Sequence, residues 1–349
     1  MVLKYLYLFS LITLTICDYE DYFPNGQLNN VLACAKDKVC VPLDCCPEIA
    51  NLLMDDTLPV HRFRQAVCGY SGINPKVCCN NPTDIVNFGA IPNEHKSENI
   101  RQRQCGYSLV KSDYAGIGSY PFLARIGFIN LDDGEIKYSC SGAIINERTV
   151  VTTASCALAT SDDYKIHSVL IGEYDTKTDP DCNSLFCAHR TTSHNISYII
   201  KHPGYRAETF DKNIALIRLN ESIDFSLTAM PVCYSERPYV STGVNTVLVG
   251  WGKLLNTKDI TEQGIVPMKI LPLQDCEDYL MQGLTVELCA MGPQEPCSGY
   301  SGSPLLYRER ECYTLIGLLS HGTSCDSNRN TPSAFVSIRK YAQWITENS

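Results

Sequence analysis

The chain has 349 residues, of which 44% are hydrophobic and 19% are charged. Its 29 basic and 38 acidic residues give a formal net charge of −9, and the sequence contains no basic block. Nucleic acids and anionic membranes are bound through clustered positive charge, so neither class of partner is expected.

The first 17 residues have the pattern of a secretory signal peptide. An apolar run extends from Tyr5 to Ile16 behind a positively charged start, and the small side chain of Cys17 precedes Asp18. The run is shorter than the roughly 20 apolar residues that a membrane-spanning helix needs. We therefore expect a secreted, extracellular protein.

Cysteines are abundant after this segment. Of the 19 cysteines only Cys17 lies in the signal peptide, which leaves 18 in the mature chain. An even number in an exported protein is typical of a disulfide framework. Seven fall close together and predict a small domain, residues 30–80, that core burial alone would not hold together. These seven are Cys34, Cys40, Cys45, Cys46, Cys68, Cys78 and Cys79.

Residues 81–104 read as a linker. They contain no cysteine and are rich in Asn, Pro and charged residues, a composition typical of segments between domains. The sequence Arg-Gln-Arg at 101–103 offers a cutting site for a trypsin-like protease. It can equally be the charged, solvated part of the linker, and the sequence leaves both interpretations open.

From Cys105 onward the sequence is built of short β-branched runs separated by Gly, Pro and Asn. Examples are TVVTTAS, HSVLIGEY, NTVLVGWG and TLIGLLS. Many short strands with turn signals between them predict an all-β barrel or sandwich. From Ala334 to Asn348 the apolar residues recur at helical spacing, which predicts one amphipathic helix at the end of the chain.

Six segments in residues 105–349 resemble, in order, the landmarks of the chymotrypsin-like serine protease domain. They are SYPFLARI, CSGAIINERTVVTTASCA, NIALIRL, GWG, CSGYSGSPL and YAQWI. The resemblance implies two six-stranded β-barrels with the functional site in the crevice between them. The cysteine-rich domain, with CVPLDCCP and a closing Cys-Cys pair, is similar to the clip domain that precedes such protease domains in arthropods.

The resemblance also places the catalytic triad, and two of its three residues are replaced. A serine protease needs a hydroxyl nucleophile, an imidazole base and a carboxylate that orients the imidazole. Ser301 stands at the nucleophile's position, but Ser155 stands at the histidine's and Asn213 at the aspartate's. Loss of the histidine alone costs a related triad enzyme about a millionfold in turnover. We therefore expect an inactive homologue without catalytic residues.

Other positions depart from the family pattern as well. Tyr300 replaces the aspartate before the nucleophile and Ser108 replaces the basic residue of the activation site, so the activating ion pair is not expected to form. Ser333 replaces a glycine that usually keeps the specificity pocket open. His321 is expected to line the groove wall rather than serve as a new base. Glu295 falls at the pocket acid's position, or is a surface acid.

The resemblance implies eight disulfides and leaves Cys45 and Cys312 unassigned. A bond between these two would join the domains, and the alternatives are that each is free or bonds to a second molecule. The eight implied pairs are Cys34–Cys78, Cys40–Cys68, Cys46–Cys79, Cys105–Cys233, Cys140–Cys156, Cys182–Cys187, Cys276–Cys289 and Cys297–Cys325.

The function implied by the resemblance is that of a non-catalytic clip-domain homologue. Such a protein would bind prophenoloxidase, its activating protease or another homologue in haemolymph, and so modulate melanisation. An inhibitory decoy of parasitoid venom type and a weak serine hydrolase built on Ser301 are the alternatives. Asn195 and Asn220 lie in N-x-S sequons and are predicted glycosylation acceptors. No cofactor and no metal site are expected.

Overall fold

The protein is described by a computed structural model. It describes residues 34, 38–43, 46, 48–49, 62–63, 66–71, 74–80, 105–108, 116–182, 187–226, 228–236, 240–254, 261–279, 282–296, 299–309, 312–322 and 331–349. The predicted signal peptide and the predicted linker lie outside these residues.

The small domain is a three-stranded antiparallel sheet. Its strands are β1 (Lys38–Pro42), β2 (Val67–Ser71) and β3 (Asn74–Asn80), in the order β1-β3-β2. Adjacent residues of a strand point to opposite faces, so Cys78 and Cys79 on the central strand bond in different directions, to Cys34 and Cys46 respectively. A third bond, Cys40–Cys68, joins β1 to β2. The predicted disulfide-rich domain is thus present.

The first barrel closes in the strand order β4-β5-β6-β9-β8-β7. Its elements are β4 (Leu123–Asn130), β5 (Ile136–Asn146), β6 (Thr149–Thr152), α1 (Ala154–Ala157), β7 (Tyr164–Ile171), β8 (Thr192–Lys201) and β9 (Ala215–Leu219). All four residues of β6 are buried, as expected of a strand that has packed side chains on both faces.

The second barrel closes in the strand order β10-β11-β12-β15-β14-β13. Its elements are β10 (Asn245–Gly250), β11 (Gly264–Leu271), α2 (Leu273–Tyr279), β12 (Leu288–Met291), β13 (Pro304–Glu309), β14 (Cys312–His321), β15 (Ser333–Ser337) and α3 (Ile338–Asn348). The two six-stranded barrels confirm the predicted fold. None of the helices in the described part of the chain has the length and apolar character that a bilayer span requires.

The terminal helix begins four residues later than the spacing of apolar residues predicts. Phe335 belongs to β15, where it pairs with Leu288 and Leu319 of the neighbouring strands. Phe335 is fully buried, and its position in the sequence fits the two-residue period of a strand as well as the 3.6-residue period of a helix. The helix proper buries Ile338, Tyr341 and Ile345 against a core that both barrels share.

A buried ion pair lies where the barrels meet. The guanidinium of Arg125 is 3.5 Å from the carboxylate of Glu173, and their side chains are 14% and 8% exposed. The same guanidinium lies 4.6 Å from the ring centroid of Tyr138 and 5.4 Å from that of Trp251. Trp251 follows β10, so this contact connects the second barrel to the first.

The small domain packs against the first barrel. Ile117, Ala188 and Tyr174 lie in the same apolar cluster as the cysteines of the small sheet. The Asp181 carboxylate orders the barrel side of this contact, because it accepts the backbone N–H groups of Tyr174 and Asp175 at 3.0 Å each. The two domains therefore share a core although the described residues contain no disulfide between them.

Seven of the eight implied disulfides are formed, and the eighth, Cys297–Cys325, lies outside the described residues. Besides the three of the small domain, they are Cys105–Cys233, Cys140–Cys156, Cys182–Cys187 and Cys276–Cys289.

The predicted Cys45–Cys312 bond is wrong, because Cys312 is a free thiol. Its Sγ lies 3.6 Å from Sγ of Cys233, beside the disulfide that anchors the start of the barrel domain. Cys45 itself lies outside the described residues. The bond is predicted only because these two cysteines are the ones left unassigned. The fold instead places Cys312 next to the Cys105–Cys233 disulfide.

Candidate functional site

The pairing of β6 with β9 brings two of the predicted site residues together. Thr152 at the end of β6 pairs with Ala215 at the start of β9, so the residues just beyond these ends become neighbours. The backbone N–H of Ser155 donates to Oδ1 of Asn213 at 2.8 Å, and Nδ2 of Asn213 donates to Oγ of Ser155 at 3.2 Å. The positions that the resemblance assigns to histidine and aspartate are thus in contact.

These two residues belong to a chain of neutral hydrogen bonds. Oγ of Ser155 donates to Oγ1 of Thr153 at 3.1 Å, and Nδ2 of Asn213 also donates to Oγ of Ser320 at 2.9 Å. Asn213 is fully buried, and its two amide hydrogens match its two partners. Hydroxyl and amide groups bind no proton at neutral pH, so this row of hydrogen bonds joins the two barrels without supplying a base.

The last member of this row of hydrogen bonds is His321, at the end of β14. We call the place where the two barrels meet the cleft, at Ser155, Asn213, Ser301 and His321. Nδ1 of His321 is 3.0 Å from Oγ of Ser320, and its ring stacks on Phe210 with 5.1 Å between centroids and 24° between planes. Burial lowers the pKa of His321 to about 4, so the imidazole is neutral and weakly basic at physiological pH. It shares no hydrogen bond with Ser301 in the described part of the chain.

Ser301 lies at the tip of a turn that both barrels hold. Its side chain is exposed, while its carbonyl accepts the N–H of Ser141 on β5 at 2.9 Å and the next N–H, of Gly302, donates to Leu319 on β14 at 2.9 Å. Gly302 has φ of +76°, and a Cβ there would lie 2.4 Å from the Ser141 carbonyl oxygen. Only glycine allows this approach.

Tyr300 anchors the same turn from inside the second barrel. Its side chain is fully buried among Leu248, Leu305 and other core residues. Gly264 leaves the space for the hydroxyl, because a Cβ there would lie 2.3 Å from the tyrosine oxygen. Burial raises the pKa of Tyr300 to about 12, so the ring remains neutral. The sequence predicts only the loss of an ion pair at Tyr300 and carries no signal of this apolar anchor.

Two further predicted positions are buried. Ser108 is 5% exposed, and its hydroxyl donates to the carbonyl oxygens of Gly118 and Ser119. Glu295 is 1% exposed, so the alternative of a surface acid is wrong. A Cβ on Gly322 would lie 3.5 Å from Oγ of Ser333 and 3.8 Å from Oε1 of Glu295. The acid is therefore buried near the end of β14 and the start of β15.

Phe210 is the cleft residue that the sequence did not reveal. It and Lys212 have φ of 54° and 50°, a conformation that non-glycine residues rarely adopt and that tertiary contacts must maintain. Here Arg206 and Asp211 bridge the loop, and the N–H of Thr285 donates to the Thr209 carbonyl oxygen at 2.8 Å. A single aromatic residue in a polar loop carries no local signal of this stacking.

The predicted glycosylation acceptors lie side by side on the first barrel. Asn195 and Asn220 are both exposed, and the backbone N–H of Asn220 donates to the Asn195 carbonyl oxygen at 3.0 Å. Two groups of side chains in the small domain have the spacing of metal ligands. All their cysteines are disulfide-bonded and so present no thiolate to a metal.

Comparison with known proteins identifies relatives over most of the chain. The sequence model of the trypsin family matches residues 109–345. CLIP domain-containing serine protease B9 of Anopheles gambiae is 31% identical over 278 aligned positions, which cover 74% of this chain and 67% of that protein. Phenoloxidase-activating factor 1 of Holotrichia diomphalia is 29% identical, with 88% and 90% covered. Melanization protease 1 of Drosophila melanogaster is 26% identical, with 88% and 90% covered.

Proposed function

We propose that this chain, which belongs to the trypsin family and within it to the clip-domain serine proteases, is a secreted member that binds other proteins and no longer cuts them. Two relatives are named for phenoloxidase activation and for melanisation. We assign this chain to the same kind of cascade in haemolymph, where it modulates the activation of prophenoloxidase. Its partners are prophenoloxidase, the protease that activates it, or another homologue.

The contact between Ser155 and Asn213 is the observation that carries this proposal. Hydrolysis by serine requires a base that accepts the hydroxyl proton and returns it to the leaving amine. At the position of the base, Ser155 carries a hydroxyl. Its neighbour Asn213 is an amide that already donates two hydrogen bonds from Nδ2. Ser301 therefore remains an ordinary alcohol.

The persistence of the cleft supports a role in binding. Tyr300 and Gly302 keep the turn of Ser301 in place, and Phe210 with His321 forms an aromatic wall beside it. Disulfides worth roughly 2–4 kcal/mol each stabilise the scaffold independently of catalysis. A peptide segment of a partner can lie in such a cleft without being cut, as a substrate would before the chemical step.

A reconstituted prophenoloxidase activation assay tests the proposal. Purified full-length protein is added to prophenoloxidase and its activating protease, and phenoloxidase activity is followed over time. Acceleration identifies a cofactor and inhibition identifies a decoy of the type found in parasitoid venom. Either result supports the proposal if the Ser301→Ala variant has the same effect.

Two outcomes contradict it. If neither wild type nor Ser301→Ala changes the rate of prophenoloxidase activation at concentrations up to that of the activating protease, the assignment to this cascade is wrong. If the effect is lost in Ser301→Ala, the exposed hydroxyl of Ser301 takes part in chemistry, and the alternative of a weak serine hydrolase replaces a binding role.

A further inference from the structure

Three sulfur atoms converge where the barrel domain begins. Cys105 and Cys233 form a disulfide across 128 positions of sequence. The free thiol of Cys312 lies 3.6 Å from Sγ of Cys233 and 3.6 Å from the carbonyl oxygen of Cys105. Cys312 is thus a potential nucleophile in contact with a disulfide, which is a different situation from an isolated thiol.

The backbone fixes this arrangement. Tyr107 forms a bridge with Cys312, and the N–H of Tyr313 donates to the Gly106 carbonyl oxygen at 2.7 Å. On the other side, the N–H of Leu315 donates to the Cys233 carbonyl oxygen at 2.7 Å. The three segments that carry the cysteines therefore lie side by side, held by main-chain hydrogen bonds.

Gly106 makes room for the sulfurs. Its φ is +76°, and a Cβ at this position would lie 2.6 Å from Sγ of Cys312 and 3.0 Å from Sγ of Cys233. These distances are well inside van der Waals contact, so any other residue would push the thiol away from the disulfide. The backbone at Gly106 therefore leaves room for the third sulfur beside the disulfide.

We propose that Cys312 exchanges with the Cys105–Cys233 disulfide, so that Cys233 bonds either to Cys105 or to Cys312. The Cys312 thiolate attacks Sγ of Cys233, and a new bond forms between these sulfurs. The bond between Cys233 and Cys105 breaks, and Cys105 leaves as a thiolate that takes up the proton released by Cys312. One disulfide is lost and one is gained, so the step needs no oxidant or reductant.

The exchange decides how the amino-terminal part is attached. With the bond at Cys105, a cut between residues 105 and 140 leaves the preceding chain covalently linked to the barrels. With the bond at Cys312, only main-chain contacts and domain packing hold it. Burial and the nearby Glu309 carboxylate raise the pKa of the Cys312 thiol, so little thiolate is present near neutral pH and the exchange is slow there.

Disulfide mapping without reduction tests the exchange on the full chain. The native protein is incubated at pH 8 for increasing times, alkylated with N-ethylmaleimide, acidified and digested. We expect a linked peptide pair containing Cys233 and Cys312 to grow with time, in step with labelling of Cys105. In Cys105→Ser this pair should account for nearly all Cys233, and in the matched control Cys312→Ser only the Cys105–Cys233 pair should be found.

The proposal is overturned in either of two ways. The first is that wild type never yields the Cys233–Cys312 pair at any incubation time, a result that does not depend on how the variants fold. The second is that Cys312 is recovered linked to Cys45 or to another cysteine outside this group, because its thiol is then not available for exchange.

Discussion

Asn213 holds Ser155 by two hydrogen bonds at once, accepting its N–H at 2.8 Å and donating to its Oγ at 3.2 Å. The amide thereby fixes the residue that stands where a catalytic base would be. Neither of these two side chains can act as a base toward Ser301, whose side chain is exposed to solvent.

We expect a fluorophosphonate probe to label wild-type protein no more than the Ser301→Ala variant, because such probes react with serines whose hydroxyl is activated by a base. A trypsin-family protease with an intact triad serves as the positive control under the same conditions. Labelling is read by intact-protein mass. Stoichiometric modification of wild type that disappears in Ser301→Ala would show that the cleft contains a base after all.

Tyr300 is predicted to stabilise the protein through its ring and not through its hydroxyl. Tyr300→Ala should lower the free energy of unfolding by about 3–5 kcal/mol, since it removes a large buried aromatic side chain. Tyr300→Phe should stay within about 1 kcal/mol of wild type or exceed it, because the buried hydroxyl has no hydrogen-bond partner among the described residues. Urea denaturation measures both. A larger loss in Tyr300→Phe would reveal a partner for the hydroxyl.

The scaffold of this site was predictable from sequence, whereas its internal support was not. Alternating apolar residues report the strand period locally, and the ordered landmarks place Ser155, Asn213 and Ser301 in one cleft. The anchoring by Tyr300 depends on space left by Gly264, a residue 36 positions away. The prediction of a Cys45–Cys312 bond fails for a related reason, since a count of cysteines carries no information on which sulfurs the fold brings together.

The turn that carries Ser301 should tolerate no side chain at Gly302. Gly302 and Gly134 share φ of +76°, but a Cβ on Gly134 meets nothing within 4 Å. Gly134→Ala should therefore lower the free energy of unfolding by only about 1–2 kcal/mol, which is the cost of placing a residue with a Cβ in the left-handed conformation. Gly302→Ala should cost about 1–3 kcal/mol more, because the Cβ also collides with the Ser141 carbonyl. Equal losses of unfolding free energy in the two variants would mean that the turn can move away from β5.

Glu173 should make stability fall as pH rises. Burial is the largest cause that raises its pKa, from 4.5 to about 7, and Arg125 only partly opposes it. The folded state therefore holds a proton that the unfolded chain releases near pH 4.5, so the stabilisation is complete below that pH and is lost as pH rises through 7. A shift of this size corresponds to about 3 kcal/mol.

The Glu173→Gln variant isolates this effect. Its unfolding free energy should change less than that of wild type between pH 4.5 and pH 7.5, and the difference between the two proteins gives the contribution of Glu173. Glu135→Gln removes an exposed acid, with a side chain 63% exposed, and should follow the wild-type curve. Identical curves for wild type and Glu173→Gln would show that Glu173 titrates normally in the folded protein.

Phe210 offers the sharpest test of the cleft as a binding surface. Its ring covers His321, so partner residues that enter the cleft would pack on it, and aromatic residues in the centre of an interface often carry more than 1 kcal/mol. We expect Phe210→Ala to raise the concentration needed for a half-maximal effect on prophenoloxidase activation by about tenfold, which corresponds to 1.4 kcal/mol. Tyr198→Ala is the matched control, because Tyr198 is 53% exposed on β8 and outside the cleft. A loss that is equal in both variants, or confined to Tyr198→Ala, would place the binding surface on the outside of the first barrel and leave the cleft without a role in binding.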